Sequence, residues 1–120
     1  MTQYVPDRND IIFGDFEPVS GTEGGKYRSA LVLSSKQYNQ QTGLLICCPI
    51  STSIRGHATE VVVGNLDEPS VVTTNLIQTL SWKECNARLV TEAENGVMDE
   101  VLVRIIPLIG ADSVIEKFIE

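Results

Sequence analysis

The sequence predicts a mainly β protein with helices, folded as a small barrel or curled antiparallel sheet. Short runs rich in Val, Ile and Leu recur along the chain, each cut off by turn-forming residues. At 120 residues and 42% hydrophobic, the chain has the size of one domain with a single core. The remaining helical signal is concentrated near the C-terminus.

The strands are expected at Ile11-Ile12-Phe13, Ala30-Leu31-Val32-Leu33, Leu44 to Ile50, Glu60 to Val63 and Val71 to Leu80. Their separators are Ser20 to Gly25, Gln40 to Gly43, Ser51 to Gly56, and Gly64-Asn65 with Asp67-Glu68-Pro69, all rich in residues that favour turns. Ser34 to Gln41 is polar and reads as a brief helix anchored by Tyr38. A second helix starts after Asn95-Gly96, where Val97, Val101, Leu102 and Ile105 recur at helical spacing and Asp99 and Glu100 occupy the favoured first turn. Pro107 must kink or end it. Beyond Gly110, Ser113-Val114-Ile115-Glu116 fits a capping box, and Val114, Ile115, Phe118 and Ile119 would form the apolar stripe of a terminal helix. A helix this short must pack on something to persist.

Composition narrows the chemistry. Cys47, Cys48 and Cys85 are odd in number, and two are adjacent in an apolar run, so they read as reduced, buried thiols rather than a disulfide framework or zinc quartet. His57 is the only histidine, which excludes a two-histidine acid–base pair and any multi-histidine metal site. Residues 1–10 are charged where a secretory signal needs an apolar stretch, and no run approaches the ~18 apolar residues of a membrane span. A cytoplasmic protein without membrane association is expected.

The formal net charge of −7 argues against a generic nucleic-acid binder. Its distribution weakens that objection. Residues 1–60 carry five cations against six acids, and residues 61–120 carry four against ten. From Lys26 to Thr59 there are four cations (Lys26, Arg28, Lys36, Arg55) and no acid. This window permits an anionic ligand.

Two segments bear the candidate chemistry. Gly21-Thr22-Glu23-Gly24-Gly25-Lys26-Tyr27-Arg28 is a glycine-rich loop that delivers an acid and an arginine to the start of a strand, where backbone amides and a guanidinium fork suit phosphate oxygens. Cys48-Pro49-Ile50-Ser51-Thr52-Ser53-Ile54-Arg55-Gly56 ends an apolar strand in three hydroxyl residues, a cation and a glycine. Alone, the first reads as a hairpin and the second as a Ser/Thr-rich turn.

Their order is more specific. Tyr4-Val5-Pro6-Asp7, Asp10-Ile11, Asp15-Phe16-Glu17-Pro18, Gly21-x-Glu23, Arg28-x-Ala30-Leu31-Val32-Leu33-Ser34, Tyr38-Asn39, Thr42-Gly43 and Pro49-Ile50-Ser51 follow one another. Together they resemble the MazF/PemK toxins of bacterial type II toxin–antitoxin systems. The likeness is dense to about Gly56 and looser through Leu80-Ser81-Trp82 to Leu108-Ile109-Gly110. It implies an SH3-like antiparallel barrel of the CcdB/PemK type with a C-terminal helix, spanning residues 1–110, and a helical extension over 111–120. It also implies a homodimer that cleaves single-stranded RNA at a short recognition sequence with neither metal nor other cofactor. The ends expected are a 2′,3′-cyclic phosphate and a 5′-hydroxyl. A cognate antitoxin protein is the expected partner, with DNA reached only through it.

By position in the resemblance, Arg28 matches the catalytic arginine, Ser51 stands where a catalytic threonine is usual, and Glu23 matches a loop glutamate beside them. Lys26, Thr52, Arg55 and His57 are the expected RNA-binding residues. A guanidinium suits charge stabilisation better than proton abstraction, so Glu23 is the candidate base and Ser51 a hydrogen-bond donor to a phosphoryl oxygen. The chain departs from the family pattern at Asn9 and Ser29, where glycine and proline are common, at Gly24, at Asn75-Leu76 in place of Asp-Gln, and at Pro107. The competing expectations are a CcdB-like toxin that binds DNA gyrase and a family member that has lost cleavage.

Overall fold

A computed structural model of the chain describes residues 3–16 and 26–119. It contains β1 (Asp10–Phe16), β2 (Lys26–Val32), α1 (Lys36–Thr42), β3 (Leu44–Ser51), β4 (Glu60–Val63), β5 (Ser70–Thr73), β6 (Gln78–Ser81), β7 (Arg88–Glu92), α2 (Val97–Leu108) and α3 (Ala111–Ile119). The strands form one seven-stranded sheet in the order β4-β5-β3-β2-β1-β7, with β6 also paired to β3, and the pairings are antiparallel.

Both faces of the central strands are covered. Ile11, Leu31, Cys48 and Val72 join one apolar cluster, while Ile12, Ala30, Val32 and Cys47 join another. Consecutive residues therefore enter different cores, as the alternation of a strand requires. This is why these strands read as unbroken apolar runs. α2 seals the first cluster with Val97, Val101 and Ile105, one turn apart. Trp82, Cys85 and Leu45 complete the second.

β3 organises the sheet because its outer edge changes partner. Leu44 to Cys47 pair with β6, Ile50 and Ser51 pair with β5, and Pro49, which has no N–H to give, falls in the gap between them. The run from Val71 to Leu80 is accordingly two strands. Thr74 interrupts it, with its hydroxyl donating to the Thr59 carbonyl at 2.6 Å and its own N–H to the same oxygen at 3.0 Å. The sheet's outer strands, β4 and β7, are linked through the residues that follow them. Gly64 N–H donates to the Glu94 carboxylate at 2.6 Å, and Asn65 Nδ2 to the Glu92 carbonyl at 2.9 Å.

Several local expectations change. α1 is capped by Ser35, which accepts from Tyr38 N–H, but Tyr38 does not anchor it. Asn39 is the buried residue of that helix. Its Nδ2 donates to the Pro6 carbonyl at 2.7 Å, its Oδ1 accepts from Ser34 Oγ at 2.6 Å, and its carbonyl accepts from Trp82 Nε1 at 2.8 Å. A fully hydrogen-bonded amide can occupy the core where the larger phenol stays at the surface. β7 was not anticipated: its sequence Arg-Leu-Val-Thr-Glu is exposed and lacks a long apolar run.

α2 passes through Pro107 and stops at Leu108, within one residue of the expected end. α3 begins at Ala111, so Ser113 lies inside the helix rather than capping it. The apolar stripe of α3 is not covered either. None of its residues is buried, and Phe118 is 84% exposed. Asn9, the departure from glycine, has φ +80°, a left-handed conformation that asparagine tolerates better than most side chains.

Candidate active site

β2 and β3 bring the two candidate segments together. Ser29 pairs with Ile50, Ala30 with Pro49 and Leu31 with Cys48. One step beyond the Ser29–Ile50 pair, at the end of this ladder, the same register sets Arg28 opposite Ser51. Both residues line a cleft of about 610 Å³, together with Arg55, His57, Glu60 and Leu76. Arg28 is exposed and Ser51 partly buried, so the guanidinium stands at the mouth of the cleft while the hydroxyl sits deeper.

The hydroxyl is oriented. Ser53 N–H donates to Ser51 Oγ at 2.9 Å, which occupies an acceptor position on the oxygen and leaves its proton to be given elsewhere. The following loop is braced from two sides. The Glu60 carboxylate accepts from Gly56 N–H at 2.9 Å and from Arg55 N–H at 3.2 Å. From α2, Arg104 Nε donates to the Ala58 carbonyl at 3.0 Å, while its Nη1 pairs with Glu100 at 2.7 Å. Gly56 itself has φ +76°, which a glycine adopts without strain. Arg55 and His57 are thus held by the backbone of an exposed loop.

Of the residues anticipated from sequence, Arg28, Ser51, Arg55 and His57 line the same cleft. Thr52 is exposed and does not line it. Lys26 begins β2, opposite Phe16. Glu23 lies outside the described residues. Glu60 was missed as a site residue, although a signal was present: it is the first acid after the acid-free window that ends at Thr59. Its carboxylate is engaged by the loop amides of Arg55 and Gly56, so it holds the backbone that carries the cations of the cleft. Leu76, one of the departures from the family pattern, contributes an apolar, 54% exposed wall.

The thiols take no part in this cleft. Cys47, Cys48 and Cys85 are free and buried. Burial pushes Cys47 up to about 12 and Cys48 up to about 11, and raises Cys85 as well. Buried thiols of this kind are poor nucleophiles.

The fold is an antiparallel sheet whose central strands β2 and β3 bring an arginine and a serine into one cleft. Residues 7–109 match the model of the PemK-like, MazF-like toxins of type II toxin–antitoxin systems, and the chain belongs to that family. It is 35% identical over 83 residues to the endoribonuclease toxin MazF of Escherichia coli strain K12, covering 69% of this chain and 75% of that protein. Among solved structures, MazE-MazF (Form-II) from Deinococcus radiodurans superposes with a TM-score of 0.82 at 35% identity, covering 90% of this chain and 98% of the other. MazF (Form-I) from the same organism gives a TM-score of 0.82 at 35% identity, over 90% and 99% of the two chains. Among the described residues no helix is long and apolar enough to cross a membrane.

Proposed function

We propose that this protein is the toxin of a type II toxin–antitoxin pair and acts as a sequence-specific endoribonuclease on single-stranded RNA. The observation that carries the reading is the meeting of Arg28 and Ser51 in one cleft with Arg55 and His57. The family supplies the toxin role and implies a cognate antitoxin. The E. coli relative, named an endoribonuclease, supports the activity.

The chemistry asks for no outside nucleophile. The ribose 2′-oxygen attacks its own phosphorus, its proton passes to a base, the bond from phosphorus to the 5′-oxygen breaks, and that oxygen takes up a proton. A 2′,3′-cyclic phosphate and a 5′-hydroxyl result. Arg28 binds the non-bridging oxygens and stabilises the charge they gain in the transition state, a role suited to a preorganised guanidinium. Ser51 donates a hydrogen bond from its hydroxyl to one of the same oxygens. Glu23 serves as the base. Arg55 and His57, with Lys26 and Thr52 nearby in the chain, hold neighbouring phosphates and bases. The active unit is a cytoplasmic homodimer.

The test is incubation of the purified protein with a long single-stranded RNA and a metal chelator, beside Arg28→Ala, with mapping of new 5′-ends. Cleavage by the wild type at a repeated short sequence is expected, with at least a hundredfold loss in the variant, of the order seen when one transition-state donor is removed. RNA left intact by both preparations would overturn the ribonuclease reading.

A further inference from the structure

β1, β2 and β7 build a second concave surface, distinct from the Arg28 cleft. Phe13 of β1 has Arg88 of β7 as its direct cross-strand partner. It stacks on Tyr27 of β2, with ring centroids 5.4 Å apart and planes 16° from parallel. The Arg88 guanidinium carbon lies 5.8 Å from the centre of the Phe13 ring. Three adjacent strands thus align a cation, a ring and a second ring, and Tyr27 is 53% exposed. Tyr27 and Arg88 line a cleft of about 430 Å³ together with Trp82, Lys83 and Asn86. Lys83 Nζ stands 5.4 Å from the centre of the Trp82 ring.

No described residue lining this cleft is an acid, and it gathers two of the four cations found in residues 61–120 of an acidic chain. The combination selects a ligand class. An acidic peptide would use the cations and leave the ring idle, and an apolar partner would strand two charges. A nucleotide uses both, its base stacking on the ring and its phosphate meeting the cations. Tyr27 directly precedes Arg28 in β2, so the two side chains leave opposite faces of the strand, and this surface and the Arg28 cleft share no lining residue.

We infer that the Tyr27–Lys83–Arg88 cleft is a second RNA subsite, holding a nucleotide of the bound strand away from the cleaved step, with its base on Tyr27 and its phosphate on Lys83 and Arg88. The inference rests on the reading that the substrate is single-stranded RNA. The subsite touches none of the reacting atoms and acts on affinity.

Its test reads binding rather than cleavage. Fluorescence anisotropy follows all-2′-deoxy oligonucleotides, which lack the internal nucleophile, of about four and about twelve nucleotides, lengths within the range of single-strand sites. Lys83→Ala/Arg88→Ala and Tyr27→Leu are each expected to weaken the longer probe about tenfold, and Tyr27→Phe to stay at the wild-type level. The double variant should also lower the salt slope by about 1.4, as two lost phosphate contacts on a single strand require. The shorter probe should depend on Arg28 and be indifferent to these changes. All three side chains are exposed, so the variants should fold.

Unchanged affinity of the variants for the longer probe would overturn the subsite, and would leave RNA cleavage by the wild type untouched. So would loss of binding to a polyglutamate peptide with oligonucleotide binding intact, which would assign the cleft to a protein partner. Variant-sensitive binding by a protein that cuts no RNA would uphold the subsite and remove the ribonuclease reading.

Discussion

The carboxylate of Glu60 holds the backbone of Gly56: the amide donates to Oε1 at 2.9 Å, across the first residues of β4 and the loop that carries Arg55 and His57. The same group takes the Arg55 N–H, so one acid sets the path of the loop at the mouth of the cleft. Glu60→Ala should release it. RNA cleavage is expected to lose about tenfold in kcat/KM, chiefly through KM, with about 1 kcal/mol lost from the fold. Glu60→Gln, which keeps one acceptor oxygen, should fall between. Steady-state kinetics on a labelled RNA and a urea titration would separate the two effects.

Ser51 and its neighbour Ser53 give a second prediction. If the hydroxyl donates to a phosphoryl oxygen, Ser51→Ala should lower kcat by about ten- to a hundredfold with little change in stability, since only a partly buried hydroxyl is lost. Ser51→Thr keeps the donor, and its β-branched side chain is at home in a strand, so activity should be retained. Equal activity of the alanine and serine forms would remove Ser51 from the mechanism.

Asn9 is held at φ +80° while its Nδ2 donates to the Ala93 carbonyl at 3.2 Å. Asn9→Gly should be close to neutral in thermal unfolding, because relief of the left-handed strain offsets the lost hydrogen bond. Asn9→Ala loses the bond and keeps the strain, and should cost about 1–2 kcal/mol.

Asn39 joins α1, the N-terminal segment and the β6–β7 connection through its amide and carbonyl. Asn39→Leu places an apolar side chain where the Pro6 carbonyl and Ser34 hydroxyl need partners. A loss of about 3 kcal/mol is expected, from buried groups left unsatisfied. Replacement of the more exposed Tyr38 by alanine should cost well under half as much.

The thiols set a pH dependence. In the unfolded chain they ionise near 9.0, whereas in the fold burial moves Cys47 to about 12 and Cys48 to about 11. Between these values the unfolded state releases protons that the folded state retains. The stabilisation is complete below about pH 9 and is lost as pH rises toward 11 and 12. The urea midpoint should therefore fall above pH 9, less steeply in Cys47→Ala. Alkylation of the native protein at pH 8 should be slow and become fast in denaturant.

The class of fold was legible in the chain's own pattern, because strands covered on both faces must be apolar throughout, and Ala30 to Leu33 and Leu44 to Ile50 could be read directly. Arg28 and Ser51 came forward as candidates through the ordered resemblance to the family, since the glycine-rich loop and the strand-end hydroxyls read alone as a hairpin and a turn. The end of α2 near Pro107 was likewise legible, being set by the chemistry of one residue. Which of these residues meet depends on the folded arrangement of the strands. The register of β2 on β3 sets Arg28 against Ser51 across a separation in sequence that no local pattern spans. Tertiary contacts also chose Asn39 over Tyr38 for the core and broke the run at Thr74 against Thr59. Each of these depends on a hydrogen-bond partner supplied by another part of the chain. Propensity and periodicity describe a residue's own segment and carry no information about that partner.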